Sequence, residues 1–598
     1  MFSWVFRTRL HAWISVLVLF ANWPLSVSAQ DSALIARQDT FATVVRPNAG
    51  SVLRSGGVLK VDSPRDGLDA WAIQLQSPMI GHPIGKGEAF SVCFSARTVS
   101  AGNQNSGTIH VTVSKDDPWR AIQANNGFRT LAVPNVWHDF AINFRAEQDF
   151  SADQFRASLQ LAAHQQQLEI RDLKFRRHGQ APDALLPKQK LFYPGRFADP
   201  TWKQLADDRI RRHRQSDLRI RVTDTLGNPV PDCTVTIRQQ KHAYTFGTFV
   251  GDVPNRNDDA GQRFRRETLH NFNRVTLPRY WADWGTDSPE GLDRSNAVAR
   301  WAASTDLELK THLLLYPRYI PERVVADRQN AALFRAQVVT AMEDALDQTR
   351  HLKCFVWDAI NELRDDELVG DVLGHEFYAE VFKLANRRRP DVRWFINEYG
   401  LLTGGAKRQE YLDQYIRTIK QIMADGGAVE GIGVQGHFTE SLVTPQQIWE
   451  VLDRLDDFGL PIEVTEFDVD TDDVVTQAEF TEDFMTAIFA HPSTTGLTTW
   501  GFWEGDMWRP RGAMYRTDWT IKPNGKVWQK LVLDRWWTDE TAVTDGTGEC
   551  VVRVFHGDHT VTVQTKTPER SVARRFTVTA DQEAQIVLGE PEPTGQAK

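Results

Sequence analysis

Glu362 and Glu466 each close a short apolar run, and side chains of that type in that position are the strongest chemical signal in this chain. The first run reads Cys354-Phe355-Val356-Trp357-Asp358-Ala359-Ile360-Asn361-Glu362, the second Pro461-Ile462-Glu463-Val464-Thr465-Glu466-Phe467-Asp468. Runs this short, rich in β-branched and aromatic residues, predict buried strands rather than helices. A carboxylate at the end of a buried strand has few structural uses, because losing its water is costly unless it is paired. In a barrel of parallel strands, that end is where catalytic groups gather. Two glutamates there meet the needs of glycoside hydrolysis: one proton donor, and one nucleophile or base. The bland alternative for Glu362, a surface pair with Arg364, is disfavoured by Asn361 and Trp357 beside it.

The elements that must hold these residues follow from the apolar period. Eight strand-like runs, at 244–249, 272–277, 307–315, 353–361, 392–399, 431–437, 461–467 and 496–503, alternate with stretches of helical spacing. Eight strand–helix units predict a (β/α)₈ barrel over 244–537, with the two glutamates on strands 4 and 7. A doubly wound sheet is disfavoured, since no glycine-rich phosphate loop follows the first strand. Ahead of the barrel, 30–179 shows short alternating strands broken by Gly, Asn, Asp and Pro, which predicts a β-sandwich or jelly roll. Residues 180–215 read as a basic linker with a short helix, 216–243 as a small β segment, 538–589 as a C-terminal β segment, and 590–598 as a disordered tail.

A chain of 598 residues exceeds one ordinary core, so several domains are expected. The net charge of −9, spread over that length, argues against a nucleic-acid partner. Arg7 and Arg9, an apolar stretch at 10–20, and Val27-Ser28-Ala29 read as a secretory signal over 1–29. The mature protein is therefore expected to be secreted, periplasmic or at the cell surface, with no membrane segment after cleavage. The four cysteines form no disulfide framework and match no zinc spacing. Cys354 reads as a buried thiol, and a Cys233–Cys550 pair is left open, since it requires the two flanking β segments to meet. The 20 tryptophans exceed what cores need, and indole faces make good sugar platforms.

Taken together, the motifs resemble family 10 glycoside hydrolases, the xylanase family. Trp357-Asp358-Ala359-Ile360-Asn361-Glu362 resembles the acid/base motif, and Val464-Thr465-Glu466-Phe467-Asp468 the nucleophile motif. Gly431-Ile432-Gly433-Val434-Gln435-Gly436-His437, Phe395-Ile396-Asn397-Glu398-Tyr399, Trp500-Gly501-Phe502 and Asp506-Met507-Trp508-Arg509 continue the likeness in the family's order. The flanking segments look most like the plant-type branch. The resemblance implies Glu362 as general acid/base, Glu466 as nucleophile, and Asn361 on the 2-hydroxyl of the cleaved sugar. It implies that His437 bonds Glu466 and is oriented by Asp468, that Gln435 helps position the nucleophile, and that His312 meets the same sugar. Trp500 and Trp508 would wall the cleft, and Glu398 would be peripheral. No metal or organic cofactor is implied.

One stretch departs from the family pattern. After strand 2 the family shows Val-Thr-x-Glu-Asn with a Lys and Trp behind, where this chain has Val275-Thr276-Leu277-Pro278-Arg279-Tyr280-Trp281-Ala282-Asp283-Trp284. Pro offers no donor and Arg accepts no hydrogen bond, so the pocket for the next sugar is expected to be rebuilt. Arg279 either favours an anionic substituent such as a uronic acid branch, or pairs with Asp283 and touches no substrate. The sandwich resembles carbohydrate-binding modules. Its Trp71, Trp119 and Trp137 are candidate platforms, with core packing the preferred reading.

The reading is a retaining endo-acting hydrolase of β-1,4-xylan-type polysaccharide, expected to be a monomer. One rival is the same chemistry on a different or uronic-acid-substituted β-glycan. The other is a non-catalytic polysaccharide-binding protein.

Overall fold

The computed structural model describes residues 33–589 apart from 103–106, 117, 124–127, 132–134, 152–154, 282–287, 367, 406–407, 440–441 and 567–568. The expected signal over 1–29, the tail over 590–598, and Ala282, Asp283 and Trp284 lie outside the described residues. Eight parallel strands close into a barrel. In chain order they are Thr245–Phe249, Arg274–Pro278, Glu308–Leu315, Val356–Asn361, Arg393–Glu398, Gly431–Phe438, Ile462–Val469 and Thr494–Thr499, here barrel strands 1 to 8. Each matches an expected run to within a few residues. The largest offset is at strand 8, which ends at Thr499, so that Trp500-Gly501-Phe502 belongs to the loop beyond it.

Strands 4 and 7 are buried along their whole length, as their apolar runs require when helices cover the barrel outside and side chains fill it inside. The helices start where the sequence caps them. Thr444 and Gln447 form a capping box on Pro445–Asp456, and Asp258, Ser288, Asn330 and Asp473 each accept a backbone N–H at the start of a barrel helix. Inside the barrel the filling is charged as well as apolar. Arg274 of strand 2 reaches Glu463 of strand 7 at 2.8 Å, and Lys310 of strand 3 lies 3.0 Å from Asp358 of strand 4 and 3.8 Å from Glu463. Residues of strands 2 and 7 meet this way only across the interior. Such charges persist there because each is paired.

The sandwich holds two six-stranded sheets. Leu59, Phe90, Val92 and Phe175 from one face Ile73, Leu75, Val111 and Leu159 from the other in a single core. The tryptophans are a correction. Trp119 is 60% exposed on a short edge strand, the face of half-buried Trp71 is covered by Arg46, and half-buried Trp137 lies beneath Arg97 and Arg171. None of the three fills the core. The aliphatic residues and phenylalanines of the inward positions already do so.

The basic segment over 180–215 is docked on the barrel rather than a free linker. Tyr193 donates to Asp483 at 2.8 Å, Arg196 pairs with Glu479, and the helix Thr201–His213 sets Trp202 against Trp449. The two outer β segments also form one unit. Gln215–Thr223 runs between Glu549–Phe555 and Gln582–Val587, Thr234–His242 between Asp539–Val543 and Gly557–Lys566, and both sheets share one aliphatic core. Cys233 and Cys550 are thus in the same unit, yet both are free thiols, as are Cys93 and Cys354. Among the described residues no helix is long and apolar enough to cross a membrane.

Candidate active site

Both glutamates sit at the same end of the barrel. Glu466 lies on strand 7, and Glu362 follows directly on the last residue of strand 4. Glu362 takes left-handed backbone angles, φ 56° and ψ 61°, and its N–H donates to Asn397 O of strand 5 at 2.9 Å. A non-glycine residue seldom adopts that conformation, and such strain concentrates at functional sites. Arg364 does not pair with it. The guanidinium lies over the rings of Tyr399 and Tyr411 and donates to Tyr399 O.

Glu466 is 4% exposed and has donors on both oxygens: Asn397 Nδ2 at 2.7 Å and His437 Nε2 at 2.9 Å. His437 Nδ1 lies 2.8 Å from Asp468 Oδ2, an oxygen that also accepts from Trp508 Nε1 at 2.9 Å. Burial alone would strip the charge from His437. Asp468 and Glu466 outweigh it and lift the imidazole to about 9, so at neutral pH both ring nitrogens donate. The expected line from Asp468 through His437 to Glu466 is therefore present.

Around Glu362, Gln435 Nε2 donates to Oε1 at 2.9 Å and Tyr316 Oη donates to Oε2 at 2.5 Å, with Arg318 3.9 Å from the same Oε2. Gln435 thus serves the expected acid/base and not the nucleophile. Its backbone is in register with Glu466, but its side chain turns to strand 4, where Nε2 also comes within 3.4 Å of Asn361 Oδ1.

Asn397, quoted in the strand-5 motif but given no role there, is the hub between the two acids. Its Nδ2 reaches Glu466 and Asn361 Oδ1, and its Oδ1 accepts from Thr465 Oγ1 at 2.6 Å. Gly433 makes room for it, since a Cβ there would stand 2.4 Å from Asn397 Oδ1. Asn397 is the register partner of Asn361 on the neighbouring strand. Glu398 is buried and accepts the backbone N–H groups of Arg364 and Tyr399.

His312 lies 2.8 Å from Asp358, a carboxylate held below the usual range because Lys310 and His312 outweigh its burial. The ring stands edge-on to Trp500 at 5.0 Å and to Tyr280 at 5.6 Å. Trp500 is 9% exposed and Trp508 56%. Tyr280, Tyr316 and Tyr319 form a further aromatic group that the motifs did not flag. Tyr280 feels both Glu466 and Glu362, and burial with those charges keeps its phenol protonated.

The Arg279 side chain is 3% exposed and donates to Asn296 on the helix Pro289–Ala303, while Nε and Nη1 have no hydrogen-bond partner among the described residues. Burial lowers its guanidinium to about 10. Arg279 is packed under the helix with Asn296 as its partner, and Asp283, the other partner expected of it, lies outside the described residues. Among the described residues no cluster of His, Cys, Asp and Glu could hold a metal ion.

Residues 286–530 match the family described as Glycosyl hydrolase family 10. The anti-sigma-I factor RsgI6 of Acetivibrio thermocellus is 26% identical over 367 residues, 60% of this chain and 46% of that protein. The endo-1,4-beta-xylanase 2 of Arabidopsis thaliana is 24% identical over 475 residues, 78% of this chain and 41% of its own. The chain thus spans less than half the length of these relatives. The crystal structure of xylanase 10B from Thermotoga petrophila RKU-1 in complex with xylobiose aligns at 18% identity and a TM-score of 0.44, over 49% of this chain and 95% of that one.

Proposed function

We propose that this chain, whose barrel carries a glycosyl hydrolase family 10 domain, hydrolyses β-1,4-xylan-type polysaccharide internally with retention of configuration. The observation that carries the reading is the pair of glutamates at one end of the barrel with different hydrogen-bond partners. Glu466 faces fixed donors on both oxygens, which suits an anionic nucleophile. Glu362 has an amide on one oxygen and a phenol on the other, and a phenol can donate or accept. In the first step Glu362 gives its proton to the leaving sugar oxygen while Glu466 attacks the anomeric carbon. In the second, Glu362 takes a proton from the water that displaces Glu466. Asn361, held by Asn397, would bond the 2-hydroxyl of that sugar, and His312 would meet the same sugar. Trp500 and Trp508 wall the cleft.

Sugar release from soluble xylan, followed by proton NMR of the first-formed anomer, tests this reading. Wild type is expected to give the β-anomer, and Glu362→Gln and Glu466→Gln to give none. Release of the α-anomer would rule out retention. A panel of β-glycans tests the rival substrates, for which the rebuilt strand-2 loop and the tyrosine group are the support. A purely binding role is disfavoured by the intact hydrogen-bonded pair. Residues 1–29 support export to the periplasm, the surface or the medium, and Trp119 is the best placed of the sandwich tryptophans to meet a glycan. The protein is read as acting as a monomer.

A further inference from the structure

Among the described residues that hydrogen-bond Glu362, Tyr316 is the one able to change its hydrogen-bond direction. Gln435 Nε2 occupies Oε1, and an amide N–H cannot accept a proton in return, so the acid form of Glu362 must carry its hydrogen on Oε2. Oε2 is the atom that Tyr316 Oη meets, with the Arg318 guanidinium 3.9 Å away. Tyr316 and Arg318 arrive together because the chain turns at Pro317–Tyr319 directly after strand 3. The phenol is further held by stacking of Tyr316 on Tyr319.

We propose that Tyr316, assisted by Arg318, is a positioning residue that sets the proton on Glu362. It donates to Oε2 when Glu362 is the base, and accepts from the Oε2 hydrogen or yields its place to the sugar oxygen when Glu362 is the acid. The inference rests on the hydrolase reading above and adds a residue to it. In the acid step the Oε2–H bond breaks, the hydrogen passes to the glycosidic oxygen, and the electron pair of the C1–O bond leaves with that oxygen. The carboxylate left behind is the form that Tyr316 and Arg318 stabilise. Tyr316 itself stays protonated, since burial and the facing Glu362 both raise its phenol. Among the described residues, Arg318, Tyr280 and Glu466 are further charged or titratable groups near this pair, and Arg318 shares Oε2 with Tyr316.

The test compares the full chain as wild type, Tyr316→Phe and Arg318→Gln on soluble xylan over the pH range of activity. An aryl β-xylobioside whose leaving group departs without a proton serves as reference. Losing a hydrogen bond to the charged form favours the protonated form, so the alkaline limb of kcat/KM on xylan should move up by about one pH unit in Tyr316→Phe. Arg318→Gln should move it the same way by about half as much, since a charge at that distance and exposure is partly screened. With the aryl substrate, whose kcat/KM reports a first step that needs no acid, the alkaline limb should not move in either variant. An alkaline limb that stays put in both variants, with wild type active, overturns the inference. Should Tyr316→Phe not fold, the half-exposed Arg318 carries the same test alone. A wild type that turns over neither substrate overturns the hydrolase reading itself, and this inference with it.

Discussion

A histidine clasped by two carboxylates holds its proton well past neutrality, and His437 is placed this way between Glu466 and Asp468. Its folded value of about 9 lies above the ordinary 6.5. Its contribution to stability is therefore fully present below about pH 6.5 and is lost as pH rises through about 9. An NMR titration of the His437 ring in the full chain should show a midpoint near 9, and in Asp468→Asn the midpoint should fall by a unit or more. An unchanged midpoint in that variant would mean that Asp468 is not the source of the shift. Asn397 makes a different demand. Asn397→Ala removes the amide from Glu466 and frees Asn361, so kcat on xylan should drop by about 10²-fold with a much smaller change in KM.

Strands impose their own limits, because side chains on neighbouring strand ends share one small space. Gly433 on strand 6 is where that space is tightest. A methyl group there would meet Asn397 Oδ1 at 2.4 Å, and Asn397 is already fixed by Asn361, Thr465 and Glu466. Gly433→Ala should therefore cost at least about tenfold in kcat/KM, with a loss of stability of about 1–3 kcal/mol from overpacking. Steady-state kinetics beside thermal unfolding separates the two effects. Retained kinetics with lowered stability would mean that Asn397 relaxes without disturbing Glu466.

At the level of the whole molecule, the barrel is bracketed by a β unit assembled from both of its flanks. Leu218, Ile220, Val235 and Ile237 come from before the barrel and pack on Val554, Val561 and Val563 from after it. A chain stopped after 537 should therefore expose these residues and come out aggregated or unfolded, as judged by solubility and circular dichroism. His242 stands at the junction, bonded to Trp536 O and packed among Phe246, Phe489 and Phe555. Burial lowers its imidazole to about 3. The stability this represents is present above about pH 6.5 and is lost as pH falls towards 3, because the unfolded chain takes up the proton first. His242→Phe should reduce the proton uptake on unfolding between those limits by about one, measured from denaturant midpoints at several pH values.

Local chemistry made the barrel strands and the two glutamates legible in the sequence. Buried strands must be apolar throughout, helices announce their starts with Asp, Ser, Thr or Asn, and a carboxylate on a buried strand needs a reason to be there. The line through Asp468, His437 and Glu466 was implied only by the family resemblance, and adjacent strands 6 and 7 hold it in register. Only the tertiary structure decided which partner each long or rotatable side chain would choose. Gln435 turned to Glu362, Arg279 went beneath a helix to Asn296, Tyr316 found Oε2, and Arg274 crossed the barrel to Glu463. The same holds for the β unit built from segments about three hundred residues apart. Each of these choices is set by closure of the barrel, which brings distant strands within hydrogen-bonding reach, and no spacing along the chain encodes that distance.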